Sequence, residues 1–165
     1  MCIERENGGG KTLIACNLHP FASKAIFFAN DRLSLVLKKK KPTVQIQVHT
    51  ILDAGTGNGA AVRLFREYGK AAYGVELSKA VLEMECPDLL KRRFVEPGVL
   101  SNLPYVDNSF DLVFSADVLE HIHPDEADMV VSELVRVSRR HIFLSISLKA
   151  QTKMSARNSN EAHRY

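Results

Sequence analysis

The spacing of apolar and polar positions changes along this chain in a way that predicts strands alternating with helices. Short apolar runs, which are typical of strands buried on both faces, end at Asp53, at Glu76 and at Ser115. Between these runs, apolar residues recur every three or four positions, as they do on one face of a helix. Strands and helices in this order form right-handed βαβ units. We therefore expect a parallel sheet with helices on both of its faces.

The residue types also delimit the individual elements. Val44, Ile46 and Val48 alternate with polar residues and predict a half-buried strand that leads into the one ending at Asp53. The other predicted strands cover residues 71–76, 94–95, 110–115 and 141–146. The predicted helices cover residues 59–68, 78–84 and 124–137. Ser78 is the expected N-cap of the second helix.

The first 42 residues carry a different pattern, which predicts an extension. Pro20 is tolerated in the first turn of a helix, and five residues after it fall near helical spacing: Ile26, Phe27, Asn30, Leu33 and Leu37. A lysine run followed by Pro42 would end this amphipathic helix. The three glycines before Lys11 lack the first glycine of a phosphate-binding loop, so we interpret them as a flexible loop.

Composition limits the class of protein. The 165 residues suffice for one domain with a sizeable core, and the apolar fraction of 45% is that of a globular protein. The net charge of +3 favours no particular partner. The three cysteines share no metal-ligand spacing, which predicts a reducing compartment and no metal site. No apolar run reaches the roughly 20 residues that span a bilayer. We therefore expect a cytoplasmic protein without a membrane partner.

A glycine-rich turn lies between the strand that ends at Asp53 and the helix after it. Gly55, Gly57 and Gly59 alternate there with other residues. Such a turn lets a ligand approach the backbone, and the following helix offers unpaired N–H groups. Glu76 ends the next strand, where a carboxylate can accept hydrogen bonds from both hydroxyls of a ribose. Ligands of parallel sheets bind beyond the carboxyl ends of the strands, so the sequence predicts a nucleotide site at this edge.

Four motifs in fixed order resemble those of one family. They are Asp53-Ala-Gly-Thr-Gly-Asn-Gly59, Gly74-Val-Glu-Leu-Ser78, Leu103-Pro-Tyr-Val-Asp-Asn-Ser-Phe-Asp-Leu-Val113 and Ser115-Ala-Asp-Val-Leu-Glu-His-Ile122. The segment from Ile51 to Ile146 is similar to the class I S-adenosylmethionine-dependent methyltransferases, and most similar to their methyltransferase type 11 subgroup. The resemblance implies an α/β fold, a Rossmann-like three-layer αβα sandwich with a mostly parallel sheet of about five strands.

The resemblance also divides the chain. Residues 1–42 would be an N-terminal extension with the amphipathic helix, residues 43–148 the S-adenosylmethionine-binding methyltransferase domain, and residues 149–165 a polar tail. The family's sheet usually continues beyond its fifth strand with a helix and a two-strand hairpin, for which this chain ends too early. We therefore expect a shortened member, with the C-terminal strands of the usual seven missing. The sheet would keep an open edge, which favours self-association.

The family's cofactor contacts carry over to matching positions of this sequence. The implied cofactor-binding residues are Asp53, Gly55, Thr56, Gly57, Gly59, Glu76, Leu77, Val99, Leu100, Ser115 and Ala116. Asp53, Gly55 and Gly57 would hold the methionine end of S-adenosylmethionine, Glu76 would bind the ribose, and Leu77 would pack on the adenine. The resemblance thus implies S-adenosylmethionine as the cofactor.

Val99 departs from the family's pattern. The family often has an acid at this position, where it receives the adenine amino group. Backbone groups of Val99 and Leu100 can still meet the ring, but the bond from the side chain is missing. The resemblance therefore implies an adenine contact that is weaker here or is supplied by another residue.

The implied reaction transfers a methyl group to a nucleophile of an unidentified small-molecule acceptor. Ser115 and Ala116 would line the sulfonium side. An acceptor with a hydroxyl or an acidic carbon needs a base, and the candidates near the fourth strand are Asp117, His121 and His123. The Asn/Asp-Pro-Pro signature of enzymes that methylate nucleobases or glutamine is absent, so we expect no nucleic-acid partner.

Alternative functions stay open. The spacing Gly55-x-Gly57-x-x-Ala60 also fits a nicotinamide dinucleotide site, although Asp53 sits two residues before the first glycine and the length leaves no room for a dehydrogenase's catalytic half. A second alternative is a catalytically weak or inactive binding module that stabilises a partner, which Val99 and the missing strands favour. A third is a Rossmann-like turn that binds no ligand.

Overall fold

The computed structural model describes residues 2–6, 12–17, 25–29, 32–36 and 44–146. The strands are β1 (Cys2–Glu6), β2 (Thr12–Asn17), β3 (Ala25–Ala29), β4 (Arg32–Val36), β5 (Val44–Gln47), β6 (Thr50–Ala54), β7 (Ala71–Glu76), β8 (Val95–Pro97), β9 (Phe110–Ala116) and β10 (Ser138–Ile146). The helices are α1 (Ala60–Glu67), α2 (Lys79–Glu85), α3 (Pro87–Lys91) and α4 (Pro124–Val137), with a 3₁₀ turn at Leu119–His121. None of the helices within these ranges is long and apolar enough to cross a membrane.

The main sheet contains the five parallel strands that the sequence predicts. Its order is β1-β2-β10-β9-β6-β7-β8, and β6 pairs in parallel with β7 on one side and with β9 on the other. β8 and β10 continue the parallel arrangement outwards. Because β6, β7 and β9 are parallel neighbours, their carboxyl ends meet at one edge of the sheet. The predicted Rossmann-like α/β fold is therefore confirmed.

Two apolar layers separate this sheet from its helices. Successive residues of a strand point to opposite faces. Ile51 accordingly joins a buried cluster that includes Val62 and Phe65 of α1, together with residues of α2 and α3. The next residue, Leu52, joins a second cluster that includes Leu134 of α4. Helices thus cover both faces, and the sheet's apolar strands are buried in the middle of the three layers.

The N-terminal strands extend the sheet at the edge that the sequence analysis leaves open. β2 pairs in parallel with β10, for example at Cys16 and Ser145, and β1 pairs with β2 in antiparallel fashion. The expectation of an open edge at the fifth strand is therefore wrong. β1 is the outermost strand on this side among the described residues, and self-association through a sheet edge stays a prediction.

The helix predicted after Pro20 is also wrong where the structure describes this segment. β3 and β4 pair in antiparallel register, with Phe27 opposite Ser34, and β5 pairs with β4 in turn. These strands form a separate three-stranded sheet. Aromatic and β-branched residues such as Ile26 and Phe27 suit a pleated strand as well as a helix face, and hydrogen bonds to neighbouring strands decide between the two. Pro20, Leu37 and the lysine run lie outside the described residues, as does the tail from residue 147.

The strand predicted at Val44, Ile46 and Val48 does not lead directly into the strand that ends at Asp53, because β5 ends at Gln47 and β6 begins at Thr50 in the main sheet. The N–H groups of His49 and Thr50 donate to Oδ2 of Asp111 at 2.9 and 3.2 Å. Oδ1 of the same carboxylate accepts from Nη1 of Arg139 at 3.0 Å. Burial alone would raise the pKa of Asp111, but these hydrogen bonds and the nearby arginine charge outweigh it and lower the pKa. Asp111 therefore fixes where β6 begins.

Candidate functional site

The turn after β6 is fastened to the neighbouring strand by its backbone. The N–H groups of Gly55 and Thr56 both donate to the carbonyl oxygen of Val75, at 2.9 and 3.0 Å. The N–H of Gly59 donates back to the carbonyl oxygen of Thr56 at 3.0 Å and closes the turn before α1 begins. The glycine-rich turn thus lies at the carboxyl edge of the sheet, as the sequence predicts.

The glycines of this turn face different surroundings. A Cβ atom on Gly55 would lie 2.5 Å from a methyl carbon of Val118, and one on Gly59 would lie 2.6 Å from Leu89. Gly55 is therefore required for close packing against Val118, and a side chain at Gly59 would have to displace Leu89. Gly57 has φ of 54°, and a Cβ atom there would meet no atom within 4 Å. The backbone at Gly57 consequently faces open space in which a ligand could lie.

Asp53 lies beneath the turn and is only 4% exposed. Its Oδ2 accepts a hydrogen bond from Oγ1 of Thr56 at 2.6 Å. Burial, which disfavours the charged carboxylate, raises its pKa to about 7; the bond from Thr56 opposes this shift and the charge of Glu76 adds to it. Asp53 is therefore poised to ionise near neutral pH, and a cationic group placed beside it would favour the charged form.

Glu76 reaches from the end of β7 to the open side of the glycine turn. Its Oε2 accepts from the N–H of Gly57 at 2.9 Å, and its Oε1 accepts from the N–H of Ser78 at 3.1 Å. Ser78 in turn caps α2, since its hydroxyl accepts from the N–H of Val81 at 3.3 Å. The carboxylate is partly exposed and each oxygen has a second lone pair, so it can still accept hydrogen bonds from a ligand's hydroxyl groups.

Two exposed apolar side chains follow the ends of β7 and β8. Leu77 is 73% exposed and Val99 is 45% exposed. The N–H of Gly98 donates to the backbone carbonyl of Glu76 at 2.9 Å, which ties the residues before both side chains together. Leu100 is half-buried and packs on the second core cluster. This part of the edge presents apolar surface of the kind that contacts a flat aromatic ring.

The end of β9 completes the edge on the other side of β6. The buried hydroxyl of Ser115 donates to the carbonyl oxygen of Ala54 at 2.9 Å, so it ties β9 to β6, and half-buried Ala116 follows it. Asp117 has φ of 59°, and its N–H donates to the carbonyl oxygen of Ser145 at 2.8 Å. Asp117 is thus in the left-handed conformation, and the side chain of the next residue, Val118, packs on Gly55. The ends of β6, β7 and β9 are therefore linked by direct contacts.

The two histidines proposed as bases lie on the segment after β9. His121 is exposed at the end of the 3₁₀ turn. Exposed His123 is the N-cap of α4, and its Nδ1 accepts from the N–H of Asp125 at 3.3 Å. His123 thus serves the start of a helix, whereas Asp117 and His121 stay candidates without an assigned role.

Three residues that the sequence analysis does not single out shape this edge. Val118 fills the space behind Gly55, and Glu133 and Arg136 of α4 bind the loop that follows Val99. The spacing of an acid three positions before an arginine on one predicted helix indicates an ion pair, but it does not indicate the loop that the pair binds. The contact of Val118 with Gly55 has no signal in the sequence, because it depends on the conformation at Asp117.

Comparison with known proteins identifies the family of this domain. The family described as "Methyltransferase domain" matches residues 52–145, more than half of the chain. Malonyl-[acyl-carrier protein] O-methyltransferase of Halorhodospira halophila is 37% identical over 113 residues, which cover 66% of this chain and 36% of that protein. Norajmaline N-methyltransferase of Rauvolfia serpentina is 31% identical over 96 residues, which cover 53% of this chain and 32% of that protein.

A solved structure supports the fold independently. The PH0226 protein of Pyrococcus horikoshii superposes with a TM-score of 0.51 at 25% identity, over 57% of this chain and 48% of that chain. The chain spans a third to a half of the length of the curated relatives it matches. Since the family match covers most of the α/β domain, from within β6 to within β10, the chain belongs to the methyltransferase-domain family.

Proposed function

We propose that this domain binds S-adenosylmethionine and transfers its methyl group to a small-molecule acceptor. The observation that carries the proposal is the position of Glu76, whose carboxylate is hydrogen-bonded to Gly57 at the open side of the glycine turn. A carboxylate at this place can accept hydrogen bonds from the hydroxyls of an adenosyl ribose. The family to which the chain belongs supports the same cofactor.

The residues at the edge fit the cofactor's chemistry. Open space at Gly57 leaves room along the backbone, and Asp53 beneath it favours a positively charged amine. Leu77 and Val99 offer apolar contact to a purine. We infer that these groups, with the backbone at Gly55, Thr56, Gly59, Leu100, Ser115 and Ala116, form the cofactor site.

S-adenosylmethionine supplies an electrophilic methyl group when it is bound. The contribution of the chain is to hold donor and acceptor in line and to exclude water between them. An acceptor that loses a proton on methylation needs a base near the end of β9, and the carboxylate of Asp117 and the imidazole of His121 are the candidates there. Either group would take up the proton that the acceptor loses.

The relatives do not show which atom of the acceptor this chain would methylate. One of the two named relatives is an O-methyltransferase and the other is an N-methyltransferase. Ser115-Ala-Asp-Val118 stands where enzymes that methylate nucleobases carry Asn/Asp-Pro-Pro, which favours a small organic acceptor over a nucleic acid. We also infer domain bounds of 43–148 for the methyltransferase unit and a cytoplasmic location, in which buried Cys86 stays a free thiol.

A second candidate function is a binding module that stabilises a partner without methyl transfer. One observation favours it, namely that Val99 offers the adenine amino group no acceptor on its side chain. Cofactor binding would then be weak and turnover absent. Binding and turnover must therefore be measured separately.

Calorimetric titration of the whole chain with S-adenosylhomocysteine tests the proposal. We expect binding that is lost in Glu76→Ala and in Gly57→Val. Gly69→Val is the matched control, because Gly69 also has positive φ and open space around its Cβ position, but it lies before β7 at the opposite edge of the sheet. No heat from the unaltered chain would refute cofactor binding, and saturation by a nicotinamide dinucleotide instead would indicate the dehydrogenase alternative. Binding without turnover across hydroxyl, carboxyl and amine acceptors would favour the second function.

A further inference from the structure

The loop between β8 and β9 is bound to α4 through the side chains of Glu133 and Arg136. Glu133 and Arg136 lie one turn apart on the helix, and Oε1 of Glu133 accepts from Nε of Arg136 at 2.6 Å. Hydrogen bonding to Arg136 lowers the pKa of Glu133, and the same contact raises the pKa of Arg136. Each member of the pair therefore favours the charged form of the other, and both side chains are placed to bind backbone groups of the loop.

All five N–H donors of the Arg136 side chain have partners. Nε and Nη2 donate to the Glu133 carboxylate, and Nη2 also donates to the carbonyl oxygen of Leu103 at 3.0 Å. Nη1 donates to the carbonyl oxygen of Tyr105 at 2.6 Å and to Oδ1 of Asp107 at 3.0 Å. A planar guanidinium can make this set of contacts, whereas the ammonium of a lysine cannot.

Leu103 is held through both of its backbone polar groups. Its N–H donates to Oε2 of Glu133 at 2.7 Å, and its carbonyl accepts from Arg136. The four residues before Leu103 form a turn, in which the N–H of Asn102 donates to the carbonyl oxygen of Val99 at 3.3 Å. The other end of this turn is fixed because Gly98 donates to the backbone carbonyl of Glu76. The turn at 99–102 is thus held between the end of β7 and helix α4.

We propose that the Glu133–Arg136 pair is a positioning unit, which holds the turn at 99–102 so that Val99 and Leu100 form the adenine side of the cofactor site. This inference rests on the proposed function. Val99 is half-exposed and so is not held in place by core packing; its position follows from its backbone, which the pair fixes through Leu103. Arg136 itself contacts no part of the proposed cofactor site, so it acts through the turn.

A double-mutant cycle on the whole chain tests this role. We expect Arg136→Lys to weaken S-adenosylhomocysteine binding about tenfold and Val99→Ala to weaken it similarly, as measured by calorimetry. If Arg136 acts through Val99, Arg136→Lys should weaken binding little further in the Val99→Ala background. A merely structural role would give independent, multiplying effects. Arg63→Gln is the matched control, because it breaks a bidentate ion pair with Asp88 between α1 and α3 and should leave affinity unchanged.

Three results would overturn the inference. Unchanged affinity in folded Arg136→Lys would show that the pair does not position the site, and multiplying effects would show that it does not act through Val99. Absence of binding by the unaltered chain would instead refute the proposed function on which the inference rests. If circular dichroism shows that Arg136→Lys does not fold, Glu133→Gln replaces it in the cycle, since it leaves the three bonds of Arg136 to the loop in place.

Discussion

The N–H of Gly57 donates to Oε2 of Glu76 at 2.9 Å, and this bond joins the glycine turn after β6 to the end of β7. The other carboxylate oxygen accepts from Ser78 at the start of α2. Glu76 therefore orders the turn before any ligand arrives. A site whose backbone is already in place loses less conformational freedom when it binds a ligand.

Glu76→Gln should show how much the two backbone hydrogen bonds of this carboxylate contribute to the stability of the fold. An amide keeps one acceptor oxygen, so either Gly57 or Ser78 would face an NH₂ group and lose its bond. We expect the free energy of unfolding to fall by about 1 kcal/mol, as measured by urea titration. Glu67→Gln, an exposed substitution on α1, should leave it unchanged. A Glu76→Gln protein as stable as the unaltered chain would show that these backbone bonds contribute nothing measurable.

Alanine substitutions at Gly55, Gly57 and Gly69 should all lower the free energy of unfolding, but by different amounts and for different reasons. All three glycines have positive φ, which costs other residues about 1–2 kcal/mol. Gly55→Ala should cost about 1–3 kcal/mol more because its Cβ would overlap Val118, and Val118→Ala should recover part of that loss. Thermal or urea unfolding measures the stability of each variant, and Gly55→Ala should be the least stable of the three.

Ligand binding should follow a different order in the same variants. Gly57→Ala places a methyl group in the open space where the ligand would lie, so it should lose affinity for S-adenosylhomocysteine. Gly69→Ala carries the same backbone strain away from this edge and should keep the affinity of the unaltered chain. Equal affinity in both variants would indicate that the ligand does not pass along Gly57.

The raised pKa of Asp53 should appear in the dependence of stability on pH. Its ordinary value is 3.8 and its value in the folded chain is about 7. A carboxyl group with a raised pKa contributes stability that is fully present below pH 3.8 and is lost as pH rises through about 7. Between pH 5 and pH 7, the free energy of unfolding should therefore fall by about 2 kcal/mol relative to that of Asp53→Asn.

Asparagine is the appropriate reference for this measurement. Its side-chain oxygen can still accept the hydrogen bond from Thr56, but it does not titrate. Urea titrations of both proteins across the pH range give the difference, in which the contributions of other carboxylates cancel. Parallel curves for the two proteins would mean that Asp53 is already ionised at pH 5.

The sequence predicts best those elements whose signals are local. Ser78 caps α2 as its hydroxyl and position indicate, and α4 begins at Pro124 and ends at Val137 as its apolar spacing predicts. The alternation of strands and helices then places the ends of β6, β7 and β9 together. The order of these elements along the sequence is therefore enough to place Glu76 beside the glycine turn, where it binds the N–H of Gly57.

Elements that depend on distant partners could not be predicted in this way. β2 is a strand because β10 supplies its hydrogen bonds, and its own residues show no period that indicates this. The break at His49 depends on Asp111, and the fixed turn at 99–102 depends on Arg136. In the last two cases a charged side chain satisfies backbone groups of a remote segment, and the sequence shows the charge but not the segment.

The pairing of β2 with β10 also has a consequence for how this chain folds. Cys16 lies opposite Ser145, so β2 is synthesised long before the strand that receives it. Closing so long a loop is slow compared with forming the neighbouring β6–α1–β7 unit. During synthesis β2 therefore has only β1 as a partner until β10 has left the ribosome, and its parallel ladder forms after the strands β6 to β9 have been made.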